Sequence, residues 1–204
     1  TEPCLPNLVT GNPLIIDSPI QNLNADSDAV DAESRVKNWI TECVIGLNLC
    51  PFARKEFDQG NIRFKVSAAH SSEELLTSLT SEFELLESNR EIETSILIVS
   101  DHLADFLDYC DFIDLANSLL FELNFEGRYQ IAGFHPEYQF ADTQASDAEN
   151  YTNRSPYPLL HILRESSIEN AVKNHPDATN IPATNIERMK AIGAKKLSEL
   201  FSKF

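Results

Sequence analysis

The sequence predicts a single α/β domain in which amphipathic helices pack on a small sheet of about four strands, mixed or parallel. Short apolar segments, of which SILIVS at 95–100 is the clearest, alternate with longer segments whose apolar residues recur every three or four positions. This alternation is typical of α/β layers joined by right-handed crossovers. A chain of 204 residues with 42% hydrophobic content is also long enough for one buried core.

Residues 1–33 predict an extended or disordered arm, and residues 34–204 predict the domain. Prolines punctuate the start of the arm, and a run rich in Asp, Asn and Ser follows. Its apolar segment 14–16 is suited to contact a sheet edge or another subunit. From Ser34 the spacing becomes helical, and Pro51 ends that helix because the residue before a proline is disfavoured in the α region.

The middle of the chain predicts three strands, at 62–67, 95–100 and 129–134. Between the first two, Ser71 and Glu74 form a capping box that begins a helix. A second helix is predicted over 103–123. Its inward residues are expected to be Phe106, Leu107, Cys110, Ile113 and Leu120.

The last third of the chain is less regular. Residues 159–164 are compatible with a fourth strand or with the start of a helix, and periodicity alone leaves both open. Ser166 or Ser167 is expected to cap a helix that reaches about residue 174. After a connector at 176–182, an amphipathic helix over 186–204 closes the chain.

Composition excludes several classes of function. A net charge of −16 repels a polyphosphate backbone, so nucleic acid is not an expected partner. No apolar run approaches the roughly 20 residues that cross a bilayer, and no signal-peptide pattern is present. We therefore expect a soluble cytoplasmic protein, although a first residue that is not Met leaves a removed targeting segment open. Four cysteines without a C-x-x-C pair indicate reduced thiols.

The segment 133–165 gathers the side chains that are most suited to chemistry. They are His135, Tyr138, Tyr151, Asn153, Arg154, Tyr157, His161 and Arg164. Compact domains seldom contain more than about 20 residues without regular structure, so the interval 135–158 predicts a lid or a binding loop. Imidazoles that titrate near neutral pH and guanidiniums that bind oxyanions would suit a small anionic ligand.

Two histidines are the candidate acid–base residues. His135 directly follows a predicted strand, Gly133 permits close backbone approach, and Asp142 or Glu137 could orient the imidazole. The alternative for His135 is that it ties down a loop through hydrogen bonds. His161 lies in an apolar segment, where it is either a site residue or a core histidine with satisfied hydrogen bonds.

The histidines also suggest a rim. His70, His102 and His135 each follow one of the three predicted strands, and in parallel sheets ligands collect beyond the carboxyl ends of strands. These three would lie together if the strands are parallel. A metal site from His70, Cys110, His135 and His161 is conceivable, but no typical ligand spacing supports it, so no metal is predicted.

Arginines are the candidate anion clamp. Arg154 and Arg164 are the first choices because a planar fork matches a carboxylate or a phosphate. Further substrate-binding candidates are Arg54, Arg63, Tyr138, Asn153 and Tyr157. If the fold brings the cations together, an acidic protein would contain one positive pocket. The alternative is that they balance nearby acids, for example through a pair between Arg154 and Glu165.

Cys50 is a possible nucleophile with two interpretations. As the last residue of an apolar helical stripe it would be a buried, inert thiol, because a helix C-terminus disfavours a thiolate. As the residue before a new turn at Pro51 it would meet free backbone amides and Arg54, which would lower its pKa.

Four segments carry a resemblance to a known family. They are NLCPFA at 48–53, GFHP at 133–136, NRSPYP at 153–158 and LHILRE at 160–165. In these segments the chain resembles a bacterial family catalogued as domain of unknown function number 1415, from about residue 34 to the C-terminus. The family carries no assigned activity, so the resemblance supports the choice of residues and implies no reaction.

The leading functional hypothesis is an enzyme that acts on a small anionic metabolite, with His135 as acid or base and with Arg154 and Arg164 as the clamp. No nucleophile elbow, Walker loop or dinucleotide fingerprint is present, so neither the reaction nor a cofactor is identified. The alternatives are a non-catalytic ligand-binding or assembly protein and a subunit of a larger complex. The enzyme and ligand-binding hypotheses require that these side chains converge on one hollow.

Overall fold

A mixed four-stranded sheet forms the centre of the fold, in a computed structural model that describes residues 20–175 and 177–204. The strands are β1 (Ile62–Ser67), β2 (Thr94–Val99), β3 (Tyr129–Phe134) and β4 (Leu159–Arg164). Their order is β1-β2-β4-β3, with β1 and β2 parallel and with β4 antiparallel to both of its neighbours. Hence β1, β2 and β3 run in one direction and β4 runs back between them. The predicted α/β class is confirmed.

Seven α-helices surround the sheet in the described ranges. They are α1 (Ile20–Trp39), α2 (Ala53–Asp58), α3 (Ser72–Ser88), α4 (Phe106–Glu122), α5 (Glu165–Asn174), α6 (Ile181–Ile192) and α7 (Ala194–Phe201). A π-helical turn, Ile40–Ile45, extends α1, and two short 3-10 helices lie at Ala148–Thr152 and Ala178–Asn180. None of the described helices is both long and apolar enough to cross a bilayer.

The sheet buries a different core on each face, because successive side chains of a strand point to opposite sides. One face carries Leu97, Leu160 and Ile162, on which α3 and α4 pack. The other face carries Ile96 and Leu159, which the end of α1 and the π-helical turn cover. All six residues of β2 are buried, as expected for a strand covered on both faces.

Local capping signals explain where two helices begin. The Ser71 hydroxyl accepts a hydrogen bond from the Glu74 amide at 3.2 Å, which confirms the predicted cap of α3. The Asp105 carboxylate accepts from the amides of Leu107 and Asp108 and begins α4 at Phe106.

The inward face of α4 agrees with the prediction only in part, since Leu120 is buried and Phe106 and Ile113 pack against the core, but Leu107 does not. The buried residues are Tyr109, Phe112, Ala116 and Leu120, whereas Leu107 is 72% exposed. Two aromatic side chains on one stripe bury more apolar area than Leu107 and Cys110 do on the adjacent stripe, so the helix is rotated toward them.

The N-terminal boundary also differs from the prediction. Helix α1 begins at Ile20, so residues 20–33, which were expected in the arm, are helical, and Ala32 is buried against the sheet together with Val36. The apolar segment 14–16 lies outside the described residues, as does the rest of 1–19.

Near the C-terminus, backbone geometry divides what the pattern predicted as one helix. Gly193 adopts a φ of 85°, a left-handed value that suits glycine, and separates α6 from α7. Helix α5 follows β4 directly with Arg164 as its N-cap residue, and neither Ser166 nor Ser167 serves as the cap. Residues 159–164 form a strand rather than a helix.

Gly133 allows α4 to lie close to β3. A Cβ atom at this position would lie 2.5 Å from the hydroxyl oxygen of Tyr109. That hydroxyl donates a 2.8 Å hydrogen bond to the Leu159 carbonyl, and burial raises the pKa of Tyr109, which keeps the phenol protonated. The tyrosine therefore has little freedom to move away.

We expect Gly133→Ala to lower the free energy of unfolding by roughly 1–3 kcal/mol, because the methyl group overpacks this contact. Tyr109→Phe alone should cost about 1 kcal/mol or more, since the Leu159 carbonyl loses its donor. The double variant should be more stable than the sum of the two effects predicts, because removing the oxygen makes room for the methyl group. Urea unfolding of the four proteins measures this, and strict additivity would contradict the contact.

Candidate functional site

The segment between β3 and β4 is a pinned loop. Asn150 is fully buried, and its carbonyl oxygen accepts hydrogen bonds from the Phe140 amide at 3.0 Å and the Thr143 hydroxyl at 2.9 Å. Its amide group donates to the Gln144 carbonyl at 2.8 Å. Because one buried side chain satisfies three backbone or hydroxyl groups, it fixes the course of the loop.

Two of the predicted ligand-binding residues take part in the same pinning. Arg154 donates to the Ala145 carbonyl at 2.7 Å, and its guanidinium lies 4.4 Å from the centre of the Tyr151 ring. Asn153 donates to the Gly133 carbonyl at 3.2 Å. The donors of Arg154 are directed at the loop itself, and no ion pair with Glu165 is formed.

His135 is an internal anchor. It is completely buried, its Nδ1 accepts from the Glu137 amide at 3.0 Å, and its Nε2 donates to the Leu103 carbonyl at 3.0 Å. Leu103 has a left-handed backbone with φ of 58°, which this hydrogen bond helps to hold. Burial lowers the pKa of His135, so the ring is neutral. Both nitrogens are occupied, and the orienting group is the backbone of Glu137 rather than a carboxylate. This is the loop-anchoring alternative, and it leaves no nitrogen for acid–base work.

Arg164 is also internal. Its Nη1 donates to the Tyr129 hydroxyl at 2.8 Å, and its Nη2 lies 2.6 Å from the Leu86 carbonyl and 3.1 Å from those of Asn89 and Ile92. The positive charge lies against the carbonyls at the C-terminal end of α3, where the helix dipole favours a cation. The guanidinium is therefore a structural link.

Arg63 and Tyr157 likewise bind other parts of the protein. Arg63 forms a two-point ion pair with the buried Glu82 carboxylate, at 2.8 and 3.1 Å. The Tyr157 hydroxyl accepts from Arg35 at 3.4 Å. Arg54 is exposed on α2.

The histidine rim forms only in part. β1, β2 and β3 end at the same edge, so the condition for the rim is met. His70 is exposed, and the Nε2 atom of His102 lies 3.4 Å from the Ser72 hydroxyl. Tyr138, a predicted ligand-binding residue, packs instead on Phe106 with ring centroids 5.2 Å apart. In the described part of the chain, no group of three or more His, Cys, Asp and Glu side chains could hold a metal ion.

His135 and His161 lie on opposite sides of the sheet. His161 pairs with Ala132 on β3, whereas His135 packs against Tyr109 of α4 at a centroid distance of 5.0 Å. Arg154 lies in the loop and the guanidinium of Arg164 lies under α3. The structure therefore does not bring the four expected catalytic and clamping groups together.

A cavity of about 390 Å³ lies on the His161 side of the sheet, between the strands and helices α1 and α5. Its walls are mainly apolar and include Trp39, Ile40, Ile96, Ala132, Leu163, Ile168 and Ala171. Two small residues, Ala132 on the sheet and Ala171 on α5, face this space and leave it unfilled.

His161 is the polar centre of the cavity. The Thr94 hydroxyl donates to the Ile162 carbonyl at 2.5 Å, so its oxygen accepts from His161 Nε2, which lies 2.8 Å away. The ring proton is thereby placed on Nε2, and Nδ1 has no hydrogen-bond partner among the described residues. Burial lowers the pKa of His161 from 6.5 to about 4. At neutral pH the ring is an uncharged hydrogen-bond acceptor.

Cys50 lines the same cavity, just before α2. Burial raises the pKa of this thiol, and the amides of Phe52 and Ala53 oppose that shift without reversing it. Cys50 thus combines the two interpretations drawn from the sequence, since it precedes a new turn and is still a protonated thiol.

Two carboxylates give one edge of the cavity an acidic character, and Gln130, Ser167 and Arg164 are further polar residues of the lining. Glu56 and Glu93 line it, and a hydrogen bond from Asn61, assisted by Lys55, lowers the pKa of Glu56 and keeps it ionised. The indole Nε1 of Trp39 is buried without a partner among the described residues.

Three candidates from the sequence, Cys50, His161 and Arg164, line this cavity. The sequence did not suggest Thr94, Glu93 or Trp39 as site residues. The alternation of side chains along a strand would have assigned Thr94 to one face of β2. Which strand lies beside it is not a property of the local sequence.

A family model described as "Protein of unknown function (DUF1415)" matches residues 31–199. No curated protein and no solved structure matches the chain.

The depressed pKa of His161 predicts a pH dependence of stability. Unfolding restores the pKa of about 6.5, so between pH 6.5 and 4 the unfolded chain binds one more proton than the folded one at this residue. The contribution of the neutral His161 ring to the free energy of unfolding is fully present above pH 6.5. It is lost as the pH falls from 6.5 through 4, by up to roughly 3 kcal/mol. His161→Gln should therefore show a shallower fall in urea midpoint between pH 6.5 and 4 than the wild-type protein. Equal slopes would show that this imidazole titrates normally.

Proposed function

Since the chain belongs to the DUF1415 family of proteins of unknown function, its role has to be inferred from its own site, and we propose that it binds a small, largely apolar molecule that is neutral or positively charged. The observation that carries this proposal is the 390 Å³ cavity with His161 and Thr94 in its wall. Small-molecule sites usually measure about 300–1,000 Å³ and combine apolar walls with a few polar groups that fix orientation.

The polar groups of the cavity define the ligand further. The free Nδ1 of His161 would accept a hydrogen bond, so the ligand should carry at least one donor, such as a hydroxyl or an amine. Glu56 and Glu93 disfavour an anion, and the guanidinium of Arg164 is bound to α3 and cannot compensate for them. The anionic ligand expected from the sequence therefore does not suit this cavity.

Two properties favour binding over catalysis. A general base is most effective when its pKa is near the working pH, and His161 has a pKa of about 4. The nucleophilic form of a cysteine is the thiolate, and burial raises the pKa of Cys50. Neither group is prepared for reaction at neutral pH.

An enzyme is the second candidate, because one cavity holds both a thiol and an imidazole. A bound ligand could change their pKa values. Turnover of a bound compound that is lost in both Cys50→Ser and His161→Gln, with binding retained in at least one of them, would establish this candidate in place of the first.

The free thiols support a reducing compartment. Cys43, Cys50 and Cys110 form no disulfide in the part of the chain that the structure describes, and we propose a cytoplasmic location on that ground together with the composition.

Filling the cavity should weaken binding of the ligand. Ala132 faces His161, so Ala132→Phe places a ring where the ligand would lie, and Ala141→Phe adds the same ring at an exposed loop position as a control. We expect a neutral naphthylamine dye to bind the wild-type protein and the control, and to bind Ala132→Phe at least about tenfold more weakly, a difference of about 1.4 kcal/mol. Fluorescence titration gives the affinities, and thermal melts show whether each variant is folded.

Ala171→Leu fills the same space from α5 and serves if Ala132→Phe does not fold. The sulfonated form of the dye should bind the wild-type protein more weakly than the neutral form. Unchanged dye affinity in both folded filling variants would refute the site, and tighter binding of the sulfonate would refute the assigned charge.

A further inference from the structure

A second, smaller cavity of about 160 Å³ opens where β4 passes into α5. We call it the arginine cleft, and its polar lining consists of Glu87, Arg90, Arg128, Tyr129, Arg164 and Ser166. These residues come from the end of α3 and the turn after it, the start of β3, and the junction of β4 with α5. Arg164 is the one residue of this cleft that the sequence proposed for an anion clamp, whereas its expected partner Arg154 lies in the loop between β3 and β4.

An internal network fixes most of these groups. Arg164 donates to the Tyr129 hydroxyl at 2.8 Å, Tyr129 donates to Glu87 at 2.7 Å, and Arg128 also donates to Glu87. Each carboxylate oxygen of Glu87 thereby accepts one hydrogen bond. The hydrogen bond from Tyr129 and the charges of Arg128 and Arg90 lower the pKa of Glu87, so it remains ionised and Arg90 lies near it.

Arg90 is the arginine of the cleft that does not take part in this hydrogen-bond network. It forms no hydrogen bond or ion pair with any other described residue, and its fork carries five N–H donors. Arg128 is about half exposed and uses only one of its terminal nitrogens for Glu87. Donors with no protein partner therefore line a cleft whose inner wall is already fixed.

The charge of the cleft is opposite to that of the chain. Three guanidiniums face one carboxylate in it, although the whole protein has a net charge of −16. Charges more than about 8 Å away are largely screened at physiological salt, so the local potential is set by the lining residues together with the exposed Glu91 and Glu126, which neighbour Arg90 and Gly127 in the sequence. Helix α5 adds to this, because it begins beside the cleft without a side-chain cap and Ser166 of its first turn lines the wall.

We propose that the arginine cleft binds a small oxyanion of the phosphate type, with Arg90 and Arg128 as its direct ligands and Ser166 as an additional donor. Planar guanidinium forks match the oxygens of such a group in pairs. The cleft volume of about 160 Å³ has room for one such group and little else. The ligand is therefore either the free ion or the phosphate of a small metabolite whose remaining part extends into solvent. This proposal does not depend on the His161 cavity.

The test is titration of the full chain with inorganic phosphate at constant ionic strength, followed by calorimetry or by amide shifts in NMR spectra. Wild-type protein should bind phosphate at the cleft, and Arg90→Gln should weaken binding at least about fivefold. Since Arg90 has no protein partner, this variant should retain the melting temperature. Arg54→Gln removes the same charge from exposed α2 and is the matched control, which should bind as the wild-type protein does.

Glu87→Gln supplies a change of the opposite sign. It removes the one carboxylate from the cleft, so phosphate binding should become stronger, by about twofold or more. Glycerol 3-phosphate separates the two sources of the ligand, because tighter binding than that of inorganic phosphate indicates a metabolite and equal binding indicates the free ion.

Three results would overturn the proposal. The first is that the wild-type protein does not bind phosphate at about 10 mM in a buffer of physiological ionic strength. The second is that the wild-type protein and folded Arg90→Gln bind phosphate equally well. The third is that Arg54→Gln and Arg90→Gln lose the same amount of affinity. The last result would indicate only a general effect of net charge. Ala132→Phe should leave phosphate binding unchanged, so failure of the cleft and failure of the cavity are distinguishable.

Discussion

The burial of the Arg164 guanidinium is the constraint on which the arrangement of this fold depends. An uncompensated buried charge costs several kcal/mol, so oxygens must surround it. They come from Tyr129 on β3 and from Leu86, Asn89 and Ile92 at and after the end of α3. One side chain therefore joins β4, β3 and α3. It also fixes the junction of β4 with α5, which separates the large apolar cavity from the arginine cleft.

Strand β4 distributes its side chains between two different environments. Leu160, Ile162 and Arg164 point toward α3 and α4, whereas His161 and Leu163 point toward the cavity. This alternation isolates His161 from every other imidazole among the described residues and surrounds it with apolar walls. Desolvation then lowers its pKa to about 4, which makes it an uncharged acceptor. The electrostatics of the large cavity follow from the register of one strand.

The polar segment between β3 and β4 has a structural role that explains its composition. Its backbone forms neither a long helix nor a strand, so its amides and carbonyls need other partners. Asn150, Asn153, Arg154 and His135 supply them, and each directs its polar atoms inward at backbone groups. A segment rich in polar side chains can therefore be either an irregular loop held by its own hydrogen bonds or a binding site. The sequence pattern cannot separate the two, because both need the same donors and acceptors.

The sequence by itself determined the local elements of this protein. Apolar periodicity predicted β1 and β3 at their observed limits, Ser71 predicted the start of α3, and the alternation of elements predicted the α/β class. These features depend on neighbours within a few positions, so short-range spacing is enough. Tertiary structure alone decided that β4 lies between β2 and β3, that α4 turns Leu107 outward, and that Cys50 and His161 share a cavity. Such contacts join residues that are dozens of positions apart, and they depend on which whole faces of helices and strands become buried, which no local pattern records.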